Sequence, residues 1–216
     1  MAQLVSNRVK DSKQEKIINN FANRYFFSRV FNNSSLNDLR STQLVGIDVI
    51  ADGVNYDLKA QASPRYLNNP RDTFIVEISF IDKDGDRVDG WFINKEIITD
   101  TYGFIWIPQT KVGEDGYIKS VDDIDKIEIM LIDRKSLHDG ITIILGNTSF
   151  MDVENELLDR EAYDNAVRPC TYKKGIKFVL SNDLAEAPIC AVLKKDFLKK
   201  YAKGHYMVTK EKIEKI

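Results

Sequence analysis

The chain has 216 residues, is 43% hydrophobic and 30% charged, and carries a formal net charge of -2, an ordinary globular composition long enough to bury a core and suited to one domain. No stretch approaches the roughly 18 apolar residues that a membrane span needs, and MAQLVSNRVKDSKQEK at the N-terminus has no apolar run of signal-peptide length, so a cytoplasmic protein without a membrane partner is expected. Cys170 and Cys190 are the only cysteines and form no CxxC pair, which excludes a zinc ribbon and gives no hint of a disulfide framework, so reduced, partly buried thiols are expected.

From about Val9 to Phe31, Ile17, Ile18, Phe21, Tyr25, Phe26 and Phe27 recur near helical spacing among Lys10, Lys13, Lys16, Arg24 and Arg29. This predicts an amphipathic helix packed on a sheet. Asn32-Asn33-Ser34-Ser35 ends it, and Ser35–Arg40 reads as a short turn of helix. Strands are expected at Leu44–Ala51, Val54–Ala60, Thr73–Asp82, Arg87–Asn94 and Tyr102–Ile107, then at Lys126–Ile132, Thr142–Leu145, Gly175–Leu180 and Ile189–Leu193. Met151–Ala166 has a helical stripe at Val153, Leu157, Leu158 and Ala162, and Lys194–Lys203 reads as a basic helix carrying Phe197, Leu198 and Tyr201. The expected fold is one mixed α and β domain over residues 1–216, a mixed central sheet flanked by helices with extra C-terminal strands and a helix.

The segment Gly46–Gln61 carries the chemistry. Asp52-Gly53 is a strong signal for a two-residue type I′ turn, which needs positive φ at both central residues. That turn sets Ala51 against Val54, Ile50 against Asn55, Val49 against Tyr56 and Asp48 against Asp57. Side chains alternate, so Ile47, Val49, Ala51, Val54, Tyr56, Leu58 and Ala60 share an apolar face. The other face carries Asp48, Asn55, Asp57, Lys59 and Gln61, interrupted only by Ile50. Asp48 and Asp57 then have Cβ atoms about 4.5–5.5 Å apart. Two carboxylates so placed repel unless one is protonated or a cation sits between them. Mg²⁺ takes hard oxygen ligands, commonly one or two carboxylates with phosphate oxygens and water, and Lys59 projects from the same face toward such a site.

The pattern Asp48, eight residues, then Asp57-Leu58-Lys59 resembles the PD-(D/E)xK superfamily of restriction-endonuclease-like nucleases, with Gly46-Ile47 where a proline typically precedes the first acid. The resemblance covers roughly residues 10–110, with residues 111–216 as an extension packed on the same core. It implies a restriction-endonuclease-like core in which Asp48 and Asp57 bind Mg²⁺ or Mn²⁺ and Lys59 positions the attacking water or offsets transition-state charge. Gln61 matches a polar position found in several subfamilies. Glu15 on the first helix corresponds to the helix-borne acid of many members, against the plain reading of an exposed glutamate between two lysines. Glu77 is the only charged residue in Thr73–Ile81. It joins the metal shell or holds Lys59 if that strand pairs beside Val54–Ala60, and is otherwise a partly exposed sheet position.

Other signals are excluded or open. Asp82–Arg87 lacks the glycine and glutamate spacing of an EF-hand and reads as a hairpin turn. His138 and His205, the only histidines, lie in no HExxH context, and there is no phosphate loop, GxGxxG or GxSxG elbow. Residues 48–169 hold thirteen basic against twenty-five acidic side chains, whereas residues 170–216 hold eleven against five. Lys173, Lys174, Lys177, Lys194, Lys195 and Lys199 in that basic end either track a nucleic-acid backbone or form solvated faces. The expectation is a Mg²⁺- or Mn²⁺-dependent nuclease, acting on DNA by family precedent. The alternative is a non-catalytic nucleic-acid- or protein-binding protein of phage or mobile-element type that keeps the fold; nothing in the sequence selects a monomer over a homodimer.

Overall fold

The N-terminal helix forms as its periodicity predicts. In the computed structural model, which describes residues 8–37, 45–164 and 168–216, α1 (Arg8–Ala22) runs into a π-helical turn at Asn23–Phe27 and a last helical turn at Ser28–Val30. The wider turn lets three consecutive aromatics, Tyr25, Phe26 and Phe27, all be buried, and Ser28 Oγ donates to the carbonyl of Asn23 at 2.8 Å. Phe27 meets Tyr56 edge-on at 5.0 Å and Phe26 lies 5.0 Å from Tyr206, fixing the helix end to a sheet.

The strands are β1 (Ser34–Leu36), β2 (Val49–Ala51), β3 (Val54–Ala60), β4 (Thr73–Ile81), β5 (Arg87–Asp89), β6 (Thr101–Thr110), β7 (Ile124–Asp133), β8 (Cys170–Lys173), β9 (Ile176–Leu180), β10 (Ile189–Lys194), β11 (Ala202–Thr209) and β12 (Ile213–Lys215). They form two sheets, ordered β1-β2-β3-β6-β7-β11-β12 and β5-β4-β10-β9-β8. The chain divides into two compact units accordingly: Asn7–Asp72, Glu96–Arg134 and Lys199–Ile216 hold the larger sheet, and Thr73–Lys95 with Lys135–Leu198 hold the smaller. The fold is mixed α and β, as expected, with few helices. The larger sheet is mixed, since β3 and β6 run parallel while its other neighbours are antiparallel. Its core sets Ile18, Phe21 and Phe26 against Tyr56, Leu58, Ile105, Ile129 and Val208. β7, β11 and β12 come from beyond residue 110, while β4 and β5 from before it lie in the other sheet.

The smaller sheet is antiparallel throughout. Its unit also holds α2 (Arg134–Leu145, from Lys135), α3 (Phe150–Asp164) and the start of α4 (Lys195–Lys199). Thr142–Leu145, expected as a strand from its β-branched run, is helical. Leu137, Gly140, Ile141 and Leu145 are buried at helical spacing, and burial of that face overrides local β propensity. Ser35–Arg40, expected as helix, begins instead as β1, which pairs with β2; residues 38–44 lie outside the described residues. Arg87–Asn94 is strand only to Asp89, because the chain turns at Gly90 so tightly against Glu77 that a Cβ there would lie 2.6 Å from the Glu77 carbonyl oxygen. The helix expected over Lys194–Lys203 shrinks to α4, and Ala202 starts a strand instead. Both cysteines are free thiols, Cys170 half-buried and Cys190 buried. Among the described residues no helix is long and apolar enough to cross a membrane.

Candidate metal centre on the β2–β3 hairpin

The turn forms with φ of 46° at Asp52 and 79° at Gly53, and the register pairs Val49 with Tyr56, Ile50 with Asn55 and Ala51 with Val54. The Asp52 carboxylate accepts the Asn33 amide at 2.9 Å, and the Asp52 amide donates to the Asn33 carbonyl at 2.8 Å. The turn therefore anchors β1 as well. Strand β2 is shorter than the expected Leu44–Ala51, and the reason lies in the site. At Asp48 the ladder becomes irregular: its amide donates to the Tyr56 carbonyl, and its side-chain Oδ2 accepts the Leu58 amide at 2.8 Å. A carboxylate thus takes the place of a backbone acceptor, which fixes its orientation.

Just upstream, Gly46 has φ of 79°, a region that favours glycine, and its carbonyl accepts Thr99 Oγ1 at 2.5 Å. A Cβ at Gly46 would lie 2.5 Å from Thr99 Oγ1 and 3.5 Å from Asp57 Oδ2. Glycine here keeps the neighbourhood of Asp57 open.

Asp57 sits mid-strand between β2 and β6 and is 2% exposed. Its Oδ1 lies 3.0 Å from Lys59 Nζ, while its buried Oδ2 has no hydrogen-bond partner. Burial first, and then the negative charge of Asp57, push the Asp48 carboxyl up to about 7, against the lowering pull of Lys59 and the Leu58 amide. Burial opposes the charged form of Lys59, but Asp57, Asp48 and Glu15 together hold its ammonium above the ordinary lysine range. The site is therefore a carboxylate pair served by one ammonium.

Two groups stand behind it that sequence reasoning did not select. Tyr102 is opposite Asp57 across the parallel β3–β6 pair, fully buried, and its hydroxyl accepts Arg134 Nε at 3.1 Å. Burial pushes that phenol up to about 12. Arg134 also donates from Nη1 to the Ile97 carbonyl at 2.9 Å. Tyr102 and Arg134 lie far from Asp57 in sequence, and only the β3–β6 register brings the phenol beside it.

The remaining candidates separate. Glu15, exposed on α1, is within electrostatic reach of Lys59. Gln61 braces the loop after β3, its Oε1 accepting the Arg71 amide at 2.9 Å and its Nε2 donating to the Arg71 carbonyl at 3.3 Å. Glu77 lies on β4, whose neighbours are β5 and β10; the neighbours of β3 are β2 and β6. The strand pairing on which a role for Glu77 depended does not form. Lys173 pairs with Glu156 at 2.7 Å, Lys174 occupies the β8–β9 turn, Lys177 is on β9, Lys194 ends β10, and Lys195 and Lys199 bound α4.

The donor set tests well against a hard divalent cation. It offers carboxylate oxygens, one buried without a donor, around a net negative charge. Among the described residues no group of three or more His, Cys, Asp and Glu side chains is arranged to hold a metal ion, so water and substrate oxygens would have to complete the coordination. No protein-family model, no curated protein and no solved structure matches this chain.

Proposed function

We propose that this hairpin is the metal-binding centre of a phosphodiester hydrolase built on a restriction-endonuclease-like core of the PD-(D/E)xK kind. The observation that carries the reading is Asp57 Oδ2, a buried acceptor without a donor, beside a second carboxylate and a lysine. A carboxylate oxygen left in that state is costly, and a Mg²⁺ or Mn²⁺ ion would satisfy it. Asp48 and Asp57 would hold the ion, which would supply Lewis acidity toward a bridging phosphodiester. Lys59, kept charged by both aspartates, would orient the attacking water or offset negative charge on the phosphoryl oxygens. Asp48 must lose its proton to bind a cation, so affinity should weaken below about pH 7.

A second reading has its own support. Asp57 already pairs with Lys59, and a proton on Asp48 can be donated to Asp57, so the pair can be neutralised without metal. The protein would then be a binding protein that keeps the scaffold. Thermal unfolding with and without Mn²⁺ separates the two, because a ligand of the folded state raises the midpoint above its Kd. We expect a rise in the wild type that is lost in Asp57→Asn, together with cleavage of plasmid or single-stranded DNA lost in Asp57→Asn and Lys59→Ala. No shift and no cleavage, or equal behaviour of the variants, overturns the hydrolase reading.

A further inference from the structure

The two faces of the smaller sheet differ in a way that hydrolysis at the hairpin does not explain. Along β4, β9 and β10 the residues Phe74, Val76, Ile78, Ile176, Phe178, Leu180, Ala191 and Leu193 are buried on one face. On the other face, register runs Tyr172 opposite Lys177, Lys177 opposite Val192 and Val192 opposite Ile75. Directly opposite residues share a face, so these four form one row across four strands, about 14 Å long at ordinary strand spacing. Tyr172 is 64% exposed and Ile75 48% exposed, and Val192 and Lys177 are half-buried. Lys194, exposed two residues beyond Val192, lies over the same face opposite Thr73.

An aromatic ring and an isoleucine open to solvent, with a half-buried valine in the same row, leave apolar surface exposed on this face. The charges beside them are chiefly positive, Lys177 and Lys194, with Lys174 at the adjoining turn. The acid on this face, Glu77, sits in the next row opposite Cys190. A row with an exposed tyrosine and flanking lysines matches an unpaired nucleic-acid strand, whose bases offer π faces and whose phosphates require cations. A double helix hides its base faces and would find no use for Tyr172.

We propose that this open face binds single-stranded nucleic acid, one base stacking on Tyr172 and neighbouring phosphates meeting Lys177 and Lys194. The proposal does not rest on the hydrolase reading, because nothing in the platform involves Asp48, Asp57 or Lys59. The test is fluorescence anisotropy of labelled oligo(dT) and oligo(rU) with the full chain in EDTA, with Asp57→Asn as a background that cannot cleave. Wild type and Asp57→Asn should bind alike, and whether dT or rU is preferred identifies the kind of strand. Tyr172→Ala should weaken binding about tenfold while Tyr172→Phe retains it. Lys177→Ala and Lys194→Ala should each reduce the slope of log affinity against log salt by about 0.7. Absence of binding, or affinity untouched by Tyr172→Ala, overturns the proposal. So does equal loss in Tyr172→Phe, or tighter binding to duplex than to single strand. If Tyr172→Ala instead converts a self-associated chain to monomers at unchanged oligonucleotide affinity, the face is a contact between copies and the proposal fails. Binding in EDTA with no cleavage by the wild type once Mg²⁺ or Mn²⁺ replaces the chelator would sink the hydrolase reading and leave this one standing.

Discussion

The hairpins β2–β3 and β8–β9 share one turn geometry and put it to opposite use. Asp52-Gly53 and Lys174-Gly175 both take positive φ at their two central residues, 46° and 79° in one, 44° and 91° in the other. Each hairpin has an apolar face and a polar one. In β2–β3 the polar face is covered around Asp57, which is buried beside an Asp48 pushed up to about 7 and has one acceptor without a donor, while Ile50 near the turn is exposed. In β8–β9 the polar face is open, and Tyr172 and Lys177 meet solvent. Burial rather than strand geometry turns a charged face into a strained, chemically poised one.

The largest test of that contrast removes the cation from the closed hairpin. Lys59→Ala leaves Asp57 with neither of its oxygens paired by Lys59, and breaking a buried pair typically costs 3–5 kcal/mol. Because the Lys59 side chain is 29% exposed, the lower end, about 3 kcal/mol, is expected in urea unfolding at pH 8. The loss should shrink as pH falls through 7 and Asp48 takes up a proton. A change below about 0.5 kcal/mol at pH 8 would mean that water reaches the pair and that the face is open after all.

Asp48→Asn tests the same burial with opposite sign. An unfolded aspartate titrates near 4, whereas Asp48 in the folded chain is pushed up to about 7. Between those values the folded state holds a proton that the unfolded state has released, so this group makes stability fall as pH rises from about 4 to about 7, with the full cost present above 7. Asparagine is neutral and can still accept the Leu58 amide. The variant should therefore be more stable than the wild type at pH 8 by about 2–4 kcal/mol, near parity at pH 4, and blind to Mn²⁺. Parallel pH profiles for the two proteins would remove the shifted carboxyl from the site.

How much of this was legible in the chain follows from how local each feature is. The β2–β3 turn and its register from Val49 to Ala51 could be read because a turn dipeptide and alternation settle them within a few residues; the irregularity at Asp48, where the expected direct pair with Asp57 gives way to a side chain accepting the Leu58 amide, could not. The same signals sat in Lys174-Gly175, but lysine is an unusual residue at positive φ, so β8 went unseen. β1 is Ser-Ser-Leu, with little strand character of its own; it exists because β2 offers an edge and Asp52 binds the Asn33 amide. β11 was hidden behind a lysine run and an irregularity between Ala202 and Gly204. Tyr102 could not be tied to Asp57 without the parallel pairing of β3 and β6, and the choice between the two readings of Glu77 stayed open because alternation gives a face but not a neighbour.

Gly46→Ala probes the crowded approach to the closed site. The new methyl must displace Thr99 Oγ1 and Ile97 and adopt a positive φ, for a cost of about 1–3 kcal/mol. It also places a methyl in ordinary contact with Asp57 Oδ2, 3.5 Å away, in room that a cation's water ligands would need, so the Mn²⁺-induced rise in melting temperature should diminish by more than the loss of stability alone explains. Unaltered metal response with lowered stability would assign Gly46 to the fold and not to the site.

The smallest effect tests the premise that the two turns are alike. A Cβ at Gly53 or at Gly175 meets nothing within 4 Å, and both residues have positive φ. Gly53→Ala and Gly175→Ala should therefore each cost only the conformational penalty, about 1 kcal/mol, with equal changes in urea midpoint. If Gly53→Ala costs clearly more at pH 8 but not at pH 5, the turn is coupled to the charged pair on its hairpin, since local strain is indifferent to the protonation of Asp48. Equal costs at both pH values leave the difference between the hairpins where the burial of Asp48 and Asp57 puts it.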